Sequence, residues 1–252
     1  MSDSHARFTS RVGDYVRARP TYPAAVAEVL RDDCGLAGGT VVADLGSGTG
    51  LLSRLFLDAG CHVYGVEPND AMREAAARVL EGQSRFVSVK GSAETTSLDS
   101  GSMDSVVAGQ AFHWFEPLAA GREARRILCP GGWAALIWNC RSMTGSRFIE
   151  SYQQLLERFS LDTRSVARSH DDPESIGRFF APAVFQLWHC ANFQLLDYEG
   201  LKGRLLSASY APPPGHERHG PMIQELQRIF DVHSVDGRVQ VDYDTRVYCG
   251  QL

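Results

Sequence analysis

Asp44-Leu45-Gly46-Ser47-Gly48-Thr49-Gly50 stands where an apolar run, Thr40 to Leu45, gives way to a segment of helical length, Leu51 to Ala59. Glycines at such a strand-to-helix turn let the backbone approach a ligand closely, and the free N–H groups opening the next helix carry partial positive charge. The spacing narrows the ligand. A dinucleotide-binding turn reads G-x-G-x-x-G, its third glycine making room for helix packing beneath a pyrophosphate. Here the third glycine comes one position early, as G-x-G-x-G, and Leu51 stands where that fingerprint wants Gly or Ala. The turn therefore suits a ligand without a pyrophosphate. Glu67 closes the next apolar run, where a carboxylate can accept both hydroxyls of a ribose.

Working outward, four more short apolar runs follow: Cys61 to Val66, Arg85 to Lys90, Asp104 to Gly109 and Trp133 to Trp138. Segments of helical length separate them, among them Asp70 to Leu80 and Leu118 to Leu128. Strands alternating with helices predict parallel βαβ units with both sheet faces covered, and right-handed crossovers then favour a doubly wound α/β sheet. Tyr22 to Arg31 reads as a helix with Pro23 in its first turn, behind an irregular basic and aromatic stretch that forms a cap. Beyond the fifth strand, helical patterning surrounds Phe148 to Phe159 and Pro173 to Phe180. Ala183 to Leu196 and Arg238 to Gly250 read as strands, separated by helical pieces at Tyr198 to Ser207 and Met222 to Phe230. The expectation is one domain over 1–252: an N-terminal helical cap (1–36), a cofactor-binding core (37–140), a helical insertion (141–182), and C-terminal strands and helices (183–252) completing a mostly parallel seven-stranded sheet.

Composition bounds the partners. With 252 residues, 44% of them hydrophobic, the chain supports one large core. A net charge of -5 leaves no basic surplus for phosphates, so a small-molecule substrate is expected and nucleic acid is not. Six scattered cysteines without a Cys-x-x-Cys pair read as buried thiols. The N-terminal stretch has no apolar signal region, and nothing approaches the roughly 20 apolar residues of a membrane span. A soluble, cytoplasmic monomer or homodimer is expected. The histidines show no metal-ligand spacing, and no metal is expected.

Across Val42 to Trp138 the chain resembles the class I S-adenosylmethionine-dependent methyltransferases, specifically the methyltransferase type 11 group. Phe8, Tyr15, Arg19-Pro20-Thr21-Tyr22-Pro23 and Gly109-Gln110-Ala111-Phe112-His113-Trp114-Phe115, with the C-terminal half, are similar to the trans-aconitate methyltransferase-like proteins. The resemblance implies a Rossmann-like fold, S-adenosyl-L-methionine as cofactor and S-adenosyl-L-homocysteine as product. It places Asp44 and the backbone of Gly46, Ser47, Gly48 and Gly50 on the methionine part, and Glu67 on the ribose. Asn69 and Met72 would flank the adenine. An acidic and a small residue are next expected to read the adenine edge; here the stretch is Ser92-Ala93-Glu94, with Ser92 in place of the commoner Asp, so that either Ser92 or Glu94 accepts that hydrogen bond. Gln110 would offer its backbone carbonyl to the cofactor's amino group.

Methyl transfer from a sulfonium is an in-line displacement, and alignment does much of the catalysis. A carboxylate acceptor needs no base, whereas a phenol, alcohol or amide does. His113, close after the fourth strand, is the candidate base or, equally, a packed aromatic beside Trp114, which itself walls the pocket or joins the core. Arg11, Tyr15, Arg19 and Tyr22 recur at spacings of three or four, giving one side of Arg and Tyr groups suited to a carboxylate, or a solvated face that closes over the cofactor. Arg141, Arg204 and Tyr210 are further pocket candidates. By the resemblance, the missing Asn/Asp-Pro-Pro-Tyr/Phe sequence argues against DNA adenine and glutamine side chains as acceptors. Two alternatives stay open: a cofactor-binding protein that transfers no methyl, and a nicotinamide-dependent oxidoreductase, which the early third glycine disfavours.

Overall fold

A computed structural model describes residues 19–162, 171–208 and 210–252. Val41-Val42-Ala43-Asp44-Leu45 lacks polar alternation, as a strand covered on both faces requires, and forms β1 (Val41–Leu45), buried from Val42 onward. β2 (His62–Val66) and β4 (Met103–Gly109) flank it in parallel. β3 (Phe86–Val89) extends the sheet beyond β2, and β5 (Leu128–Arg141) extends it beyond β4, again in parallel. β7 (Val239–Gln251) then runs antiparallel between β5 and the edge strand β6 (Gln186–Leu196). The order is β3-β2-β1-β4-β5-β7-β6, a seven-stranded mixed sheet in which β7 alone is reversed. Strand order turns back between β1 and β4, which places a crevice at their carboxyl ends.

Helices α1 (Ala24–Cys34) and α2 (Leu51–Asp58) cover one face, where Val26, Leu30 and Phe56 meet Val42, Val107, Ile137 and Val247. α3 (Asp70–Val79) follows β2, its first turn capped by the Asn69 side chain, which accepts the N–H groups of Ala71 and Met72. α4 (Pro117–Ile127) and α6 (Pro173–Phe180) cover the other face, with Ile127, Phe179 and Phe180 packed on Ala43, Val106, Leu136 and Trp138. Phe56 and Ile127 are fully buried on opposite faces, each burial stabilising by about 1.5–3 kcal/mol. A third cluster joins α5 (Arg147–Phe159), α7 (Tyr198–Leu206) and α8 (His219–His233) to Leu196, Val239, Val241 and Tyr243 at one end of β6 and β7. Segment 141–182 therefore divides, α5 entering this third cluster and α6 packing beside α4.

Several boundaries differ by a few residues from the sequence expectation, and two of them have a clear local cause. Pro23 caps α1 from outside, with ψ 149, instead of sitting in its first turn. β5 begins at Leu128, ahead of the expected Trp133, because buried Leu128 already pairs with Met103 and a bulge between Met103 and Ser105 absorbs the Gly131-Gly132 irregularity. Among the described residues no helix is long and apolar enough to cross a membrane.

Candidate functional site

A cleft of about 940 Å³ opens at the carboxyl edge of the strands. Asp44, near the end of β1, is buried and accepts the Ser53 hydroxyl at 2.6 Å through Oδ2. Its Oδ1 is also buried and has no hydrogen-bond partner among the described residues, although the residue lines the cleft. Burial pushes this carboxyl up to about 7, with the Ser53 hydrogen bond opposing and the Glu67 charge adding to the rise. Such an oxygen is costly to leave unmatched, so the site is complementary to a donor arriving through the cleft.

Glu67 ends β2 buried, its two oxygens fixed by the backbone N–H groups of Gly48, at 3.1 Å to Oε2, and Asn69, at 2.9 Å to Oε1. The glycines of the turn divide their work. Gly48, at φ +54, faces the cleft, and a Cβ there would meet only the Gly46 carbonyl oxygen, at 3.9 Å. Gly50, at φ +84, caps α2 away from the cleft lining, and a Cβ there would stand 2.7 Å from Leu80 Cδ1. The third glycine thus serves helix packing. Gly46, Ser47, Asn69 and Met72 line the cleft, as do Ser92, Ala93 and Glu94 beyond β3. Glu94 Oε1 accepts the Glu116 N–H at 2.9 Å, which ties this turn to the start of α4. Gln110 also lines the cleft, at φ +56, a conformation that costs a non-glycine residue on the order of 1–3 kcal/mol and clusters at functional sites. His113 lies exposed on the 3₁₀ turn Phe112–Trp114, its ring 4.8 Å from that of Trp114, and is not among the cleft-lining residues. Trp114 does line the cleft and is 60% exposed.

The far half of the cleft is basic and aromatic. Arg141 from the end of β5, Arg204 from α7, and Tyr210 line it, together with Arg19 and Tyr22 from the segment before α1. Arg11 and Tyr15 lie outside the described residues. Tyr152 of α5 and Tyr243 of β7 complete the wall, neither singled out from the sequence, because helical spacing and strand alternation mark both simply as core. The Arg141 guanidinium lies 5.6 Å from the Tyr152 ring centre and that of Arg204 lies 5.2 Å from Tyr243. Burial lowers the Arg141 guanidinium from its usual range and raises both tyrosine hydroxyls. Arg246 shares the cleft but is neutralised by Asp171 at 2.7 Å and Asp244 at 2.9 Å. Arg141 and Arg204 make no ion pair among the described residues. Among the described residues, Arg204 Nε and the cleft-lining Trp138 Nε1 are buried donors without an acceptor. The cleft is therefore acidic at one end and basic at the other.

Residues 43–136 match the family described as the methyltransferase domain. Over 139 residues the chain is 37% identical to an uncharacterized methyltransferase of Mycobacterium tuberculosis, covering 55% of this chain and 54% of that protein. An uncharacterized methyltransferase of Schizosaccharomyces pombe is 33% identical over 152 residues, covering 60% of this chain and 59% of that one. The chain thus spans little more than half the length of these curated relatives. A candidate type II methyltransferase from Anaeromyxobacter dehalogenans shares the fold with a TM-score of 0.65 and 19% identity, over 92% of this chain and 97% of that one. A geranyl diphosphate methyltransferase, solved in complex with S-adenosylmethionine, matches with a TM-score of 0.50 and 18% identity, over 90% of this chain and 84% of that one. Asp44, Glu67, Ser92 and Gln110 lie inside the stretch that matches the methyltransferase family, whereas Arg141, Tyr152, Arg204 and Tyr243 lie outside it.

Proposed function

We propose that the chain is an S-adenosylmethionine-dependent methyltransferase whose acceptor is a small molecule bearing a carboxylate or another anionic group. The carrying observation is the polarity of one cleft, with the unmatched Asp44 oxygen at one end and, at the other, Arg141 and Arg204, neither of which makes an ion pair among the described residues. The match to the methyltransferase family and the fold shared with a protein crystallised with S-adenosylmethionine support the cofactor.

When bound, S-adenosylmethionine supplies a methyl group on a positively charged sulfur that departs as a neutral thioether. Asp44 Oδ1 is the acceptor for its ammonium group, and the Glu67 carboxylate, held by the Gly48 and Asn69 N–H groups, accepts two ribose hydroxyls. Glu94 Oε1 is engaged by the Glu116 N–H, so the Ser92 hydroxyl is assigned to the adenine edge. Met72 and Asn69 flank the ring. At the other end Arg141 and Arg204 hold the acceptor's anion between tyrosine faces, and the buried donors Arg204 Nε and Trp138 Nε1 gain a partner. A carboxylate held this way offers its lone pair without losing a proton, so alignment carries the reaction and no base is needed.

The test is incubation of the full chain with methyl-labelled S-adenosylmethionine and the small-molecule fraction of a cell extract, followed by anion-exchange separation. Label in a product derived from an anionic metabolite is expected. Label confined to cationic or neutral acceptors overturns the acceptor class, and no protein-dependent label at all overturns the activity.

A further inference from the structure

The segment that carries Arg19 and Tyr22 is held by groups remote in sequence. The Thr21 carbonyl accepts the side-chain amide of Asn192, on edge strand β6, at 2.8 Å, and that of Asn139, on β5, at 3.3 Å. Asn192 also donates to Asn139 Oδ1 at 3.1 Å, and the Thr245 hydroxyl of β7 donates to that same oxygen at 2.6 Å. On its other side, the Asn139 backbone oxygen accepts Gln110 Nε2 at 3.1 Å. A continuous polar chain thus runs from Gln110 in the cofactor half, across the edge of β5, β7 and β6, to the segment preceding α1.

Asn192 is fully committed to this arrangement. Its two amide hydrogens go to Thr21 and Asn139, and its Oδ1 accepts the Phe193 N–H at 2.9 Å, which fixes which way the amide faces. The residue does not itself line the cleft, whereas Arg19, Pro20 and Tyr22 do. Tyr22 reaches in until its hydroxyl lies against the backbone of Gly109, where a Cβ would collide with it, one residue before Gln110.

We propose that Asn192 is a positioning residue: by holding the Thr21 carbonyl it seats Arg19 and Tyr22 in the cleft wall. The strap stands on the hydrogen bonds alone, while its effect on cofactor rests on the function proposed above. Removing the amide takes away the shorter of the two hydrogen bonds on the Thr21 carbonyl and leaves only the 3.3 Å one from Asn139, while Asn192 itself lies outside the cleft lining.

Two measurements on the full chain test it. Without ligand, nitration of Tyr22 by tetranitromethane, mapped by peptide mass spectrometry, should be several-fold faster in Asn192→Ala than in the parent protein. By calorimetry, Asn192→Ala should weaken S-adenosylhomocysteine binding by about five- to tenfold, and adding it to Tyr22→Ala should cost almost nothing more, because both changes remove one interaction. A purely structural role would lower the melting temperature and leave the two substitutions additive. Unchanged Tyr22 nitration, or fully additive losses, overturns the proposal. A parent protein that fails to bind S-adenosylhomocysteine sinks the cofactor assignment instead, and the nitration comparison still decides the strap. Should the alanine variant not fold, Asn192→Asp, which keeps the shape and replaces the donor with an oxygen, serves for both measurements.

Discussion

Asp44 ties the chemistry of the site to pH. Its carboxyl titrates near 7 in the folded protein against 3.8 for the ordinary group, so between those values the folded state holds a proton that the unfolded state has released. The free protein should therefore lose stability as pH rises from about 4 to 7, and reach its full penalty above 7. Ligand binding runs the opposite way. An ammonium group needs the ionised carboxylate, so affinity for S-adenosylhomocysteine should climb with pH up to about 7 and then level off. Asp44→Asn should stabilise the free protein, weaken binding by about 1.5–3 kcal/mol and flatten this pH dependence, all measurable by calorimetry and thermal melts. An affinity independent of pH in the parent protein would remove Asp44 from the ligand. Glu67→Ala should cost a similar ~1.5 to 3 kcal/mol of binding while the fold survives, and unchanged affinity would undo the ribose assignment. Both acids were legible in the sequence, Glu67 because it closes a recognisable apolar run and Asp44 because it opens the glycine turn that carries the family resemblance. Tyr152 and Tyr243 were not, since their spacing says only that they are buried, and it takes the third cluster to turn them toward the cleft.

At the scale of elements, the glycine turn separates binding from folding. Gly48→Val should place its side chain in the cleft and abolish S-adenosylhomocysteine binding, while the free protein still melts cooperatively at a cost of about 1–2 kcal/mol for the left-handed backbone. Gly50→Val should drive into Leu80 and lose far more stability, because both backbone and packing object. Melts that rank the two in the reverse order would contradict the division. The motif revealed that these glycines matter; only the neighbouring end of α3 shows that one of them faces a side chain and not a ligand. Strands β1, β2 and β4 were readable from unbroken apolar runs, since coverage on both faces leaves no polar alternation. The early start of β5 was hidden by Pro130-Gly131-Gly132, which reads locally as a turn. The reversal of β7 was hidden too, because alternation does not encode direction.

For the whole molecule, the two halves of the cleft come from different parts of the chain. The acidic half is contributed by the stretch that matches the methyltransferase family, short enough for motif and spacing to reveal it. The basic half gathers Arg19, Arg141, Tyr152, Arg204 and Tyr243, separations that only the folded sheet brings together, and the Asn192 bond to Thr21 is likewise invisible in the sequence. The central claim is that this cleft is built for an S-adenosyl group and not for a dinucleotide. Calorimetric titration of the full chain with S-adenosylhomocysteine, and separately with NAD, tests it most directly: saturable one-site binding of S-adenosylhomocysteine with no measurable heat from NAD is predicted, whereas tight NAD binding, or a folded protein that ignores S-adenosylhomocysteine, would contradict it.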